Sequence, residues 1–67
     1  MFYVIDKRAK SENTHFTDFN FNDVADGKKA LWHSKENAYF GISCFIKDKH
    51  AGDPAYAMDR YEILQET

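Results

Sequence analysis

Ala38-Tyr39-Phe40-Gly41-Ile42-Ser43-Cys44-Phe45-Ile46-Lys47 is the stretch on which the reading of this chain turns. Alternate residues separate into Phe40, Ile42, Cys44 and Ile46 on one side and Tyr39, Gly41, Ser43 and Phe45 on the other. A period of two is the signature of a strand, and Gly41 then marks a bulge or the close approach of another backbone. A strand this apolar needs cover, and the segment before it supplies a helical pattern. Phe21, Val24, Ala25, Lys28, Leu31 and Trp32 recur at i, i+3, i+4, i+7, i+10 and i+11, interrupted only by Lys28, whose stem can lie along the stripe. Asn20 suits the N-cap, Asp23 the N3 position, and Phe19 with Val24 a hydrophobic staple. The spacing therefore predicts a helix over residues 21 to 34, ended by Ser34-Lys35-Glu36-Asn37, with Gly27 on its far face.

Outward from this pair, Phe2 to Arg8 is rich in β-branched and aromatic residues and reads as a first strand. Phe2 and Val4 face one way, Tyr3 and Ile5 the other, so it belongs inside the sheet, not at its edge. Lys10 to Thr14 is a polar connector, and the chain through Thr17 is either loop or a short second strand. Asp48 to Pro54 is a turn. The tail is open between two readings: a helix from Asp53-Pro54, and a strand over residues 60 to 65 returning against residues 38 to 47. The strand is favoured because it closes a two-layer domain. The expectation is an α+β fold, a small antiparallel sheet of about three strands with one helix on one face in β-α-β-β order. Residues 1 to 67 are expected to form a single, complete small domain.

Composition excludes several classes. The chain is 43% hydrophobic and 30% charged with a net charge of −2, a globular balance and not a disordered one. No apolar run approaches the roughly 18 residues of a membrane span, and no signal peptide pattern opens the chain. Cys44 is the only cysteine, so no internal disulfide exists. A cytoplasmic protein is expected, held together by its one Trp, four Tyr and six Phe.

Chemistry-bearing patterns are sparse. His15, His33, His50 and Cys44 are the candidate metal ligands, but no two have the spacing that places a pair on one turn, so neither metal nor cofactor is expected. A dyad of Cys44 with His33 or His50 lacks any pattern for an oxyanion hole, and no phosphate or dinucleotide loop occurs. A non-enzyme is expected. Lys7, Arg8 and Lys47, with aromatics on an outer sheet face, make single-stranded nucleic-acid binding the alternative function. Residues 1 to 47 carry seven basic and six acidic side chains, and residues 48 to 67 two and five. That balance is not the strong positive charge such a binder wants, and the acidic tail is too mixed to imitate a phosphate row.

The remaining signal is surplus apolar material. One helix covers one sheet face, which leaves Tyr3, Ile5, Tyr39, Phe45 and Tyr61 or Met58 in need of a partner or of cover by residues 10 to 18. As a short acidic chain with a β-α-β-β order, it is similar in general shape to the compact proteins with which phages and mobile elements bind and block a host or defence factor. The expected function is a protein-binding module, an inhibitor or adaptor acting by steric occlusion through its sheet face or an exposed strand edge. Tyr39, Phe45 and Tyr61 are the expected partner contacts. A homodimer burying the outer face is compatible with either function.

Overall fold

The computed structural model describes residues 1–67. Its elements are β1 (Phe2–Asp6), β2 (Phe16–Thr17), β3 (Asp23–Val24), α1 (Lys35–Lys49) and β4 (Tyr61–Gln65), with short 3-10 turns at Glu12–Thr14, Asp26–Lys28 and Met58–Arg60. The fold is α+β: one helix against a small antiparallel sheet. The sheet has four strands in the order β3-β2-β1-β4. β1 is interior, as its two apolar faces required.

The element order is β-β-β-α-β and not β-α-β-β, because the two central segments exchange roles. Residues 38 to 47, expected to be a strand, are the body of α1. On a helix Ala38, Ile42, Phe45 and Ile46 recur at i, i+4, i+7 and i+8. Ala38 and Ile42 are buried, and Phe45 and Ile46 pack against the core. Ser34, expected to close the previous helix, starts this one: its Oγ accepts the Asn37 N–H at 3.0 Å. Glu36 in the first turn and Lys47 and Lys49 in the last complement the helix dipole.

Residues 21 to 34 form no α-helix, only the 3-10 turn at Asp26–Lys28. The expected N-cap at Asn20 loses to Asp18, whose Oδ1 accepts the N–H groups of both Asn20 and Asn22, while Asp18 N–H bonds the Asn22 carbonyl. These bonds fold 18 to 22 into the hairpin turn between β2 and β3. Phe21 sits in this turn at φ 62°, a left-handed conformation that costs a bulky residue about 1 kcal/mol or more. Burial of its ring against Trp32, Phe45 and Tyr61 offsets that cost. After Val24 the chain returns along the sheet: Ala30 N–H bonds Thr17 carbonyl, and Phe2 and Trp32 exchange backbone hydrogen bonds of 2.8 and 2.7 Å.

The C-terminal segment is a strand, as favoured, but its partner is β1 and not residues 38 to 47. The register runs from Phe2 opposite Gln65 to Asp6 opposite Tyr61. Val4, Asp6, Thr17, Tyr61 and Ile63 thereby face α1, and Val4, Phe21, Ala38, Ile42 and Tyr61 form the buried core. Tyr3, Ile5, Phe16, Val24 and Leu64 face the other way and are half-buried. Of residues 10 to 18, Phe16–Thr17 joins the sheet and the His15 ring lies 4.4 Å from that of Phe16, while the Lys29 side chain lies over the rings of Tyr3 and Phe16.

Candidate functional site

The three aromatics expected at a partner surface fall in different places. Tyr61 is 6% exposed and belongs to the core, its hydroxyl pushed up to about 12 by burial and by the nearby Asp6 charge. Phe45 is half-buried on the inner face of α1, 5.1 Å from Phe21 and 5.0 Å from His50 between ring centroids. Tyr39 alone is a surface residue, 57% exposed on α1. The strand reading had put Tyr39 and Phe45 on one face, six residues apart. On a helix they stand well apart around the axis.

The apolar surface lies elsewhere. Phe19, at the tip of the β2–β3 turn, is 61% exposed, and Phe40, on the outer side of α1, is 69% exposed. With Leu31 and Trp32 they line one open groove of about 310 Å³ against Gly41. Trp32 packs edge-on to Phe19 at 5.0 Å and stacks on Phe21 at 5.8 Å. Gly41 makes this possible: a Cβ there would come within 2.7 Å of Trp32 Cη2, so the indole lies directly on the helix backbone. Trp32 Nε1 is buried without a hydrogen-bond partner, so the indole is held by its ring contacts alone. Sequence reading had Trp32 on a helix stripe and Phe19 as a staple. Neither signal distinguishes a covered ring from an exposed one.

A second groove of about 820 Å³ runs from Phe19 and Trp32 past Cys44 and Phe45 to His50 and Tyr56, with Asp23 and Asp48 on its walls. His50 and Tyr56 stack with centroids 3.5 Å apart and planes 5° from parallel. Cys44 and His50 share this groove without a hydrogen bond, and His33 lies in the smaller groove beside Phe40. No three His, Cys, Asp or Glu side chains come together as a metal site.

The charged feature missed in the sequence is a clamp. Asp6, 2% exposed, receives Arg60 Nε at 2.9 Å and Nη2 at 3.1 Å, while Arg60 Nη1 bonds the Ala55 carbonyl and its guanidinium lies 4.1 Å from the Tyr56 ring centre. Burial pushes the Asp6 carboxyl up, but hydrogen bonds from Arg60, Asp23 and the Arg8 N–H, with the Arg60 charge, hold it below the usual range. Asp23 pays the other side of that balance. Desolvation, the hydrogen bond to Asp6 and the Asp6 charge push it up to about 6. A separation of 54 positions between Asp6 and Arg60 leaves no local spacing by which to find this pair.

The nucleic-acid residues are dispersed. Lys7 and Arg8 are exposed in the turn after β1, and Lys47 is exposed in the last turn of α1. Lys29, the one lysine on the open sheet face, is engaged by Asp26 and by Glu66 at 3.1 Å, both of which raise its pKa. No helix is long and apolar enough to cross a membrane. Comparison with known proteins gives no match: no family model, no curated protein and no solved structure resembles the chain at a significant level.

Proposed function

We propose that the chain is a non-enzymatic protein-binding module of the inhibitor or adaptor type, with Phe19, Leu31, Trp32 and Phe40 as its contact patch. The supporting observation is that Phe19 and Phe40, the two most exposed large apolar side chains, stand on either side of one groove. Most of the surface of these two rings is left in water although Phe19 touches Trp32 by its edge, and contiguous apolar surface of this kind marks protein contact sites. Trp32 between them has the character of an interface anchor: a large ring already fixed by its neighbours, so that little freedom remains to be lost on binding. An apolar side chain of a partner protein fits the groove, and the bulk of the module then occludes the partner. In the setting expected from the sequence, a phage or mobile-element protein in a host cytoplasm, that partner would be a host or defence factor, although the β-α-β-β order behind that expectation is not the one the fold has. Capture of partners from lysate by immobilised chain, compared with Phe19→Ala and Phe40→Ala, tests the reading. Each variant is expected to lose at least about tenfold in affinity with an unchanged fold, because truncating an interface anchor costs about 1–2 kcal/mol or more. Retention of full affinity by both variants refutes it.

Single-stranded nucleic-acid binding keeps one supporting observation, the Tyr3 and Phe16 rings 5.7 Å apart on the open sheet face beneath Lys29. It predicts nucleic acid in the captured material that is released steeply with salt.

A further inference from the structure

The sheet ends on one side at β3, two residues long, and on the other at β4, five residues long with nothing beyond it. Which backbone groups of β4 are free follows from its ladder with β1. Lys7 N–H bonds the Arg60 carbonyl and Glu66 N–H bonds the Met1 carbonyl, so positions 60, 62, 64 and 66 face β1. Tyr61, Ile63 and Gln65 therefore point their backbone groups off the edge. The Tyr61 N–H is taken by the Met58 carbonyl. The N–H groups of Ile63 and Gln65 and the carbonyls of Tyr61, Ile63 and Gln65 have no partner in the chain.

Edges are normally blunted by lysine, proline, a bulge or extreme shortness. Tyr61-Glu62-Ile63-Leu64-Gln65 has none of these, and only one charge. We infer that this edge pairs antiparallel with the same edge of a second copy, about a two-fold axis at Ile63. Self-pairing is favoured over a foreign strand by the register it permits. With Ile63 opposite Ile63 of the second copy, each Ile63 N–H meets the other Ile63 carbonyl, and each Gln65 N–H meets the other Tyr61 carbonyl. Glu62 then lies opposite Leu64. A slip of two residues in one direction sets Glu62 against Glu62, and in the other direction Glu62 against Glu66, both like-charge pairs. One register thus satisfies the free amides without charge repulsion. It joins two four-stranded sheets into one, with both helices on the same side. Tyr39 gains a role here: with Lys35, Met58, Tyr61 and Ile63 it lines a groove beside the edge, and Gln65 of the second copy enters on that side. This edge is separate from the Phe19–Phe40 patch, so the two readings stand or fall independently.

The register gives the test. Leu64 is half-buried on the open sheet face, and both Leu64→Lys and Leu64→Glu remove the same apolar contact from the fold. In the dimer, however, residue 64 faces Glu62 twice. Sedimentation equilibrium of the wild-type chain from micromolar to millimolar is expected to show the mass rising from 7.8 kDa towards twice that value. Leu64→Lys should dimerise more tightly and Leu64→Glu more weakly, about tenfold or more apart because each opposed pair occurs twice. Circular dichroism establishes that both variants fold. Should either fail, Gln65→Pro, which removes an outward N–H and the Gln65 side chain but no β1–β4 hydrogen bond, is expected to hold the chain monomeric. A wild-type mass of 7.8 kDa at every concentration overturns the proposal, as does equal dimerisation of the two Leu64 variants, or a β4 amide exchange protected only on addition of a foreign strand peptide.

Discussion

Gly41 is a residue at which the usual helix rule reverses. Gly→Ala inside a helix ordinarily gains about 1 kcal/mol. Here the new methyl would stand 2.7 Å from Trp32 Cη2, 3.1 Å from Cζ3 and 3.3 Å from Phe21 Cζ, and the indole is wedged between Phe19 and Phe21. Gly41→Ala is expected to lower the melting temperature through a net loss of about 1–3 kcal/mol, as overpacking does; a rise would mean that the indole swings away freely. The Asp6 and Asp23 carboxyls set a pH profile by opposite signs. Asp23, raised to about 6, binds its proton more tightly folded than unfolded, so its contribution is present at low pH and lost as pH rises through about 6. Asp6, lowered by Arg60, contributes above its unfolded value of 3.8 and loses that contribution as pH falls. Stability is therefore expected to be highest near pH 4 and to fall between about pH 4 and 6 before levelling, by thermal melts from pH 3 to 8. In Asp23→Asn the decline between about pH 4 and 6 should disappear. A decline of wild-type slope in that variant assigns it to another group.

At the scale of elements, the two ends of the chain were legible and the middle was inverted, for a physical reason. β1 and β4 are short and β-branched or aromatic, and their character does not depend on what lies between them. In residues 38 to 47, apolar side chains are so dense that both a two-residue and a 3.6-residue period can be traced, and only the cap resolves them. Ser34 followed by Asn37 is a helix start. Asn20 followed by Asp23 looks equally like one, yet Asp18 takes the backbone donors that the cap would have used. That Tyr3 and Ile5 form a second apolar sheet face was legible, but whether residues 10 to 18 cover it was open. The exposed groove was not legible, because it depends on the long-range placement of Phe19 against Phe40. Ser34→Ala is expected to cost about 1 kcal/mol, read as a lower urea midpoint with an unchanged slope. Loss of the Asn37 N–H bond with no stability change would show that α1 is held by its packed face alone.

For the whole molecule, the small core decides which aromatics can be used to test function. Only 8 of 67 residues are buried, and a single helix covers a single sheet face, so the chain has a few kcal/mol to spare. Phe45 touches Phe21, His50, Tyr56 and Tyr61 and joins α1 to the hairpin turn, the C-terminal loop and β4. Removing such a ring costs about 3–5 kcal/mol, which is comparable to the entire stability. Phe45→Ala is therefore expected to be largely unfolded at room temperature, with collapsed amide dispersion in a two-dimensional NMR spectrum. Phe40→Ala and Tyr39→Ala, at positions 69% and 57% exposed, should keep the wild-type spectrum outside their own neighbourhoods. This contrast separates loss of binding from loss of fold. Any partner released by Phe45→Ala reports on the scaffold, while one released by Phe40→Ala reports on the surface. A folded Phe45→Ala chain with wild-type melting behaviour would return that ring to the list of contacts and move the interface towards the His50–Tyr56 groove.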